Sequence, residues 1–314
     1  MRILVLLYVV PLLLILAVGA LLVLSYKPTD GQHTLAGRPG FVARVQAGFG
    51  RVSGCILALA AGTGVIIALV WPVGYGARHF DAQDHKVYKW VFARAHTHWL
   101  HQAMSTLTKM SNNRETQVVA GAFMILLTLW WVGHRRGLAI LAPAVLLISA
   151  YEIEHQLQHT LKLLAARTGP VPAGLGSFPS GGVARLISIY GLILYLVLRR
   201  LNLTRSKWAV AGWTIIAAAT YTESYSRLYL GKHWISDIFA GLVFGALLLA
   251  VLIVATQLLD RADPVAEEVE VVAEARFAGS GATLPRAGLT GAVDGEQVDG
   301  EQSESTADPA APYR

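Results

Sequence analysis

An all-α polytopic membrane bundle is the fold class this chain predicts, and three observations carry the prediction. Apolar residues make up 54% of the chain and charged residues 15%, with a mean hydropathy of +0.49. Several apolar stretches reach the roughly 20 residues that a helix needs to cross hydrocarbon. The basic residues gather in the segments between those stretches.

Seven spans are predicted, near residues 3–25, 54–76, 116–134, 138–157, 183–199, 208–225 and 235–257. The first has only Arg2 ahead of it and an apolar run too long for a signal-peptide core, so it is expected to remain as a helix. Residues 28–53 read as an amphipathic cytoplasmic connection through Phe41, Val42, Val45, Phe49 and Val52. Residues 82–110 alternate apolar and basic residues at helical spacing. They predict one helix lying at the interface, anchored by Tyr88, Trp90 and Trp99. Three segments follow: 1–53, a first transmembrane helix with its connection; 54–259, the membrane domain; and 260–314, an acidic tail. That tail holds twelve acids and four arginines, has almost no aromatic residues and is expected to be disordered.

Charge sets the topology. Although the net charge is +6, the tail is acidic and the rest of the chain strongly basic. Basic loops at Lys27–Arg51, at His134-Arg135-Arg136 and at Arg199–Lys207 belong in the cytoplasm by the positive-inside rule. Alternation puts 77–115, 158–182 and 226–234 on the other side. The expected location is a multi-pass protein of the plasma (inner) membrane with its site on the non-cytoplasmic face. The positive charge sits at membrane boundaries, which speaks against a nucleic-acid partner. The single cysteine, Cys55, falls inside a span and allows no intrachain disulfide.

The chemistry concentrates in SRLYLGKHWISD. Ser226-Arg227 is followed after five residues by His233, and after three more by Asp237. Positions four apart share a helix face, so a carboxylate at 237 can hold one imidazole nitrogen of His233 and leave the other to attack. Arg227 offers a planar fork of donors suited to phosphate oxygens. Some fifty residues earlier, the turn at Pro179-Ser180-Gly181-Gly182 can offer backbone N–H groups to the same anion. Lys162 and Arg167 are further cations at the outer end of the preceding span.

These residues resemble the type 2 phosphatidic acid phosphatase (PAP2) superfamily, with its motifs K-x6-R-P, P-S-G-H and S-R-x5-H-x3-D. The third is complete at Ser226, Arg227, His233 and Asp237. The second reads PSGG, with Gly182 at the family's histidine. The first reads KLLAARTGP, with Lys162 and Pro170 in place, Gly169 at the motif arginine and Arg167 two residues earlier. The resemblance covers roughly residues 80–257. It implies a six-helix core, to which the first helix is an addition, and a lipid phosphatase or phosphotransferase that needs no metal or other cofactor. In that reading His233 is the nucleophile, assisted by Asp237 and Arg227. Lys162, Arg167, Ser180, Gly181 and Gly182 hold the phosphate of a lipid in the surrounding bilayer.

Gly182 bears most on mechanism, because the family's histidine there protonates the leaving oxygen. An alkoxide needs that proton, whereas a phosphate leaving group, with a second pKa of about 6, needs it far less. The glycine therefore implies a diphosphate substrate such as a polyprenyl diphosphate, a substitute acid, or a weakened enzyme. Glu152, His155, His159 and Lys162 fall on one helix face, which makes His159 and His155 candidate substitute acids. Two readings of other classes stand beside this one. The first is a non-catalytic protein that keeps the pocket to bind lipid phosphate. The second is a metal-dependent oxygenase using His96, His98, His101, His155, His159 and Glu152, for which the required clusters are incomplete.

Overall fold

The computed structural model describes residues 2–26, 41–94, 98–132, 141–170 and 176–259, and these are helices and their links, with no strand among them. The expected tail at 260–314 and the basic segments 27–40 and 133–140 lie outside the described residues. Residues 1–260 form one compact unit.

In chain order the helices are α1 (Arg2–Ser25), α2 (Phe41–Phe49), α3 (Arg51–Ala77), α4 (Asp81–Phe92), α5 (His98–Leu107), α6 (Asn113–Val132) and α7 (Ala142–Ala165). They continue with α8 (Gly181–Arg185), α9 (Gly191–Arg200), α10 (Lys207–Tyr229) and α11 (Ile235–Leu259). A π turn over Leu186–Tyr190 joins α8 to α9, so the two form one helix from Gly181 to Arg200. Every predicted span overlaps a long helix of the described residues. By length and composition, four described segments are apolar enough to cross a membrane: Ile3–Ser25, Arg51–Phe92, Gly181–Arg200 and Ile235–Leu259. The remaining long helices are α6, α7 and α10.

Two boundaries differ from expectation. The helix placed at 138–157 runs from 142 to 165. Its last two turns carry Gln158 and Lys162 inward, so hydropathy falls while the helix continues. The single interfacial helix placed at 82–110 is instead α4 and α5, followed by a 3-10 turn at Thr108–Ser111. The first helix ends at Phe92, and Arg94 just beyond it donates through Nη1 to Trp90 O at 3.0 Å.

Between helices in lipid, apolar burial supplies little driving force, so close packing and hydrogen bonds decide the arrangement. The core joins α3 (Ile66, Val70), α7 (Leu147, Ala150), the α8–α9 helix (Ile189, Leu192) and α11 (Phe244, Leu248). Phe178, fully buried, plugs the end of this core from the loop before α8. The first helix docks on α10 through tyrosines. Tyr225 donates to Leu4 O at 2.6 Å, and Tyr8 shares a hydrogen bond with Thr222 at 3.2 Å.

What positions the site is the contact of α11 with α8. A Cβ on Gly241 would fall 2.6 Å from Ser180 O, and one on Gly245 would fall 2.8 Å from Ala184 O. This small-xxx-small face lets the two backbones meet, and Ser180 N–H donates to Asp237 O at 3.0 Å across the same seam. Gly241→Ala is therefore expected to destabilise the protein by about 1–3 kcal/mol, as overpacking does. A lower unfolding temperature in detergent checks this. Gly64→Ala, where a Cβ meets nothing within 4 Å, is expected to leave that temperature unchanged.

Candidate active site

The third motif lies on the end of α10, the link 230–234 and the first turn of α11. The link is closed by Leu230 N–H to Ser226 O at 2.9 Å and Lys232 N–H to Arg227 O at 3.0 Å. Trp234 caps α11, and its N–H donates to Asp237 Oδ2 at 3.1 Å, so Asp237 closes the first turn of its own helix. Its other oxygen, Oδ1, accepts from Arg167 Nη1 at 2.8 Å.

His233 is oriented differently from the expectation. Its Nδ1 lies 2.9 Å from Ser177 O and 3.9 Å from Asp237 Oδ2. A carbonyl only accepts, so Nδ1 carries the hydrogen and Nε2 keeps its lone pair. The loop before α8, rather than Asp237, makes the hydrogen bond that holds the ring, because Asp237 is committed to Trp234 and Arg167. Burial lowers the His233 pKa below its ordinary 6.5, opposed by Asp237, while the Arg227 and Lys162 charges add to the lowering. The ring is thus neutral at neutral pH.

His233 opens on a cavity of about 260 Å³, lined also by Lys162 and His155 of α7, Arg185 of α8, Arg227 of α10, Gly181, Gly182, Gln158 and Asn113. Three cations from three helices converge there. Arg227 donates through Nε to Glu223 Oε1 and through Nη2 to Asn112 Oδ1 at 3.0 Å. Arg185 donates through Nε to Ser111 O at 3.0 Å, and through Nη1 to Gln158 Oε1 at 3.2 Å and Glu154 Oε2 at 3.3 Å. Each guanidinium thereby has two of its nitrogens anchored while its residue lines the cavity.

Arg167, expected among the phosphate ligands, is not on the cavity wall. It is buried against Asp81 at 2.7 Å, Asp84 at 2.5 Å, Asp237 at 2.8 Å and Ser236 Oγ at 2.6 Å. Standing two residues ahead of the family position, it follows the left-handed residue Ala166 that ends α7 and turns toward α4. There it ties the interfacial helix to α11. Sequence reasoning missed Arg185, which supplies the third cation. The available signal was an arginine inside a predicted span, which by its cost in hydrocarbon marks a functional group.

The second motif meets the cavity at the N-terminus of α8. Ser180, buried, spends its N–H on Asp237 O, and its Oγ has no hydrogen-bond partner among the described residues. Gly181 and Gly182 line the cavity, and the first N–H groups of a helix have no partner within it and attract anions. The space beside Gly181 is filled by Gln158. Of the two candidate substitute acids, His155 is on the cavity wall, stacked on Tyr151 with centroids 6.1 Å apart. His159 is exposed and does not line the cavity. Ser226 is fully buried and bonds back to Glu223 O at 2.8 Å, within its own helix.

The three motifs are tied together by hydrogen bonds to backbone carbonyls. Ser177 N–H donates to Arg167 O at 3.0 Å, and Trp234 Nε1 donates to Thr168 O at 2.8 Å. A crystal structure described as the first transmembrane PAP2-type phosphatidylglycerolphosphate phosphatase from Bacillus subtilis superposes with a TM-score of 0.52. It is 19% identical, over 60% of this chain and 93% of that one, and so shares the fold. None of the curated proteins matches the chain. The family model described as PAP2 superfamily matches residues 85–261. With more than half of its length under that match, and with three motifs converging on one cavity, the chain belongs to the PAP2 superfamily.

Proposed function

We propose that this protein is a lipid phosphatase or phosphotransferase acting on a membrane-anchored phosphate or diphosphate through a phosphohistidine. The observation that carries the reading is the neutral His233, its Nδ1 tied to Ser177 O and its ring opening on a cavity with three cations. Nε2 attacks phosphorus, and the bond to the leaving oxygen breaks. Lys162, Arg185, Arg227 and the Gly181–Gly182 backbone hold the nonbridging oxygens and offset the charge that builds up on them. Water then cleaves the N–P bond; in a transferase an acceptor hydroxyl takes its place. Asp237, 3.9 Å from Nδ1, steadies the positive charge that the ring acquires on phosphorylation.

Phosphate release by the purified protein from a panel of lipid monophosphates and diphosphates tests the reading, and release from at least one class is the expected result. A second reading rests on Gly182. Without a histidine there, the pocket serves to bind lipid phosphate and not to cleave it. Saturable binding of the lipids with no release from any of them would favour that alternative.

The site belongs on the non-cytoplasmic face by the charge of the loops. A cysteine at the exposed Lys232 is expected to react with an impermeant thiol reagent added outside intact cells. One at the exposed Asn202 is expected to react only after permeabilisation. The reverse pattern overturns the orientation.

A further inference from the structure

A buried carboxyl stands beside the place where the second motif lacks its imidazole. Glu223 lies on α10, one turn before Arg227, and is 2% exposed. Its Oε1 accepts hydrogen bonds from Arg227 Nε and, at 3.2 Å, from Thr108 Oγ1. Its Oε2 is buried with no hydrogen-bond partner among the described residues. A buried acceptor without a partner is rare and calls for a function or a ligand. A Cβ built on Gly182 would fall 2.6 Å from Glu223 Oε1 and 2.6 Å from Arg227 Nη2. The carboxyl therefore occupies the space into which a side chain at 182 would project. Gly182 itself lines the cavity, and with no side chain there the carboxyl stands directly behind it.

We propose that Glu223 supplies the proton that a second-motif histidine would otherwise give, so that the site cleaves monoesters with alkoxide leaving groups as well as diphosphates. The proposal rests on the reading of His233 as nucleophile. In the free site Arg227 neutralises the carboxylate. A bound phosphate brings a second anion to the same guanidinium, and two anions close together favour uptake of a proton by one of them. Oε2, without a partner, is the oxygen to receive it. When His233 Nε2 attacks, the P–O bond to the lipid breaks with its electron pair on oxygen. The proton passes from Glu223 to that oxygen, and the lipid alcohol leaves. The carboxylate then takes a proton from the water that cleaves the N–P bond, which returns phosphate, neutral His233 and protonated Glu223. Besides Arg227, Lys232 in the link and Tyr190 in the π turn are titratable groups within electrostatic reach of Glu223.

Glu223→Gln tests this, because the amide keeps the shape and an acceptor for Arg227 but has no acidic proton. The full-length variant and wild type are compared on a diacylglycerol phosphate and a prenyl diphosphate in the same mixed micelles, at matched unfolding temperature. The expected result is a kcat about 10²-fold lower or worse on the monoester, a loss below about tenfold on the diphosphate, and KM little changed. An equal loss on both substrates makes Glu223 only a support for Arg227 and overturns the proposal, as does an unimpaired variant. Should Glu223→Gln fail to fold, Glu223→Ala combined with Gly182→His opens the space and refills it with an imidazole. Monoester cleavage recovered relative to Glu223→Ala supports the exchange of acids, and no recovery overturns it. Wild type that cleaves the diphosphate but not the monoester overturns this proposal alone. Wild type that cleaves neither overturns the phosphatase reading with it.

Discussion

His233→Ala is expected to abolish phosphate release, by about 10³-fold or more, since both chemical steps pass through its ring. Among the described residues, His155 is the only other histidine on the cavity wall, and it belongs to none of the three motifs. His233→Gln should still bind lipid phosphate, because the three cations and the α8 N-terminus remain. Near-normal turnover by a folded His233→Ala protein would sink the mechanism. The pH profile gives an independent check. Only the neutral ring attacks, so the rate is lost as pH falls through the histidine pKa. Burial sets that pKa below 6.5 in the free protein, so the acid limb of kcat/KM should lie below pH 6.5. A bound phosphate favours the protonated ring, which moves the acid limb of kcat to higher pH than that of kcat/KM.

Arg227→Lys is expected to lower kcat/KM by about 10²–10³-fold, the usual effect of removing one well-placed donor to a transition-state oxyanion. Lysine keeps the charge but not the fork. Arg227 holds Glu223 through Nε and Asn112 through Nη2, and a point charge cannot make both bonds and also meet the phosphate. Arg167→Gln should fail in another way. Its guanidinium is shared by Asp81, Asp84 and Asp237, the last two almost fully buried. Its removal leaves carboxylates buried without their cation, at a cost of about 3–5 kcal/mol. A lower unfolding temperature with lipid-phosphate affinity retained in the folded fraction is the expected signature. A loss of affinity at unchanged stability would put Arg167 back among the phosphate ligands.

The contrast between the two arginines shows how far a sequence carries. Arg227 was legible because its role depends on residues six and ten positions away, spaced along a helix end, a short link and a helix start. Arg167 was read as a phosphate ligand because it is basic and near a family position. Its charge is consumed by Asp81 and Asp84 of an interfacial helix some eighty residues earlier. Arg185 sat in an apolar stretch and was passed over. Its task depends on Glu154 and Gln158 of α7 and on Ser111 O, none near it in sequence. The end of α7 was misjudged for a related reason. Hydropathy marks the part of a helix that meets lipid, and the last turns of α7 meet the site.

By itself the sequence determined the membrane bundle, the order of its long helices and the place of the proposed nucleophile. These follow from runs of apolar residues and from spacings within a few turns, which local geometry converts directly into faces. The tertiary structure alone decided which carbonyl holds the His233 ring, which arginines reach the cavity and which carboxyl stands beside Gly182. Those are choices among oppositely charged or hydrogen-bonding partners from distant segments. They are settled where distant helices meet, as α11 meets α8 at Gly241 and Gly245, and spacing along the chain does not encode such approaches.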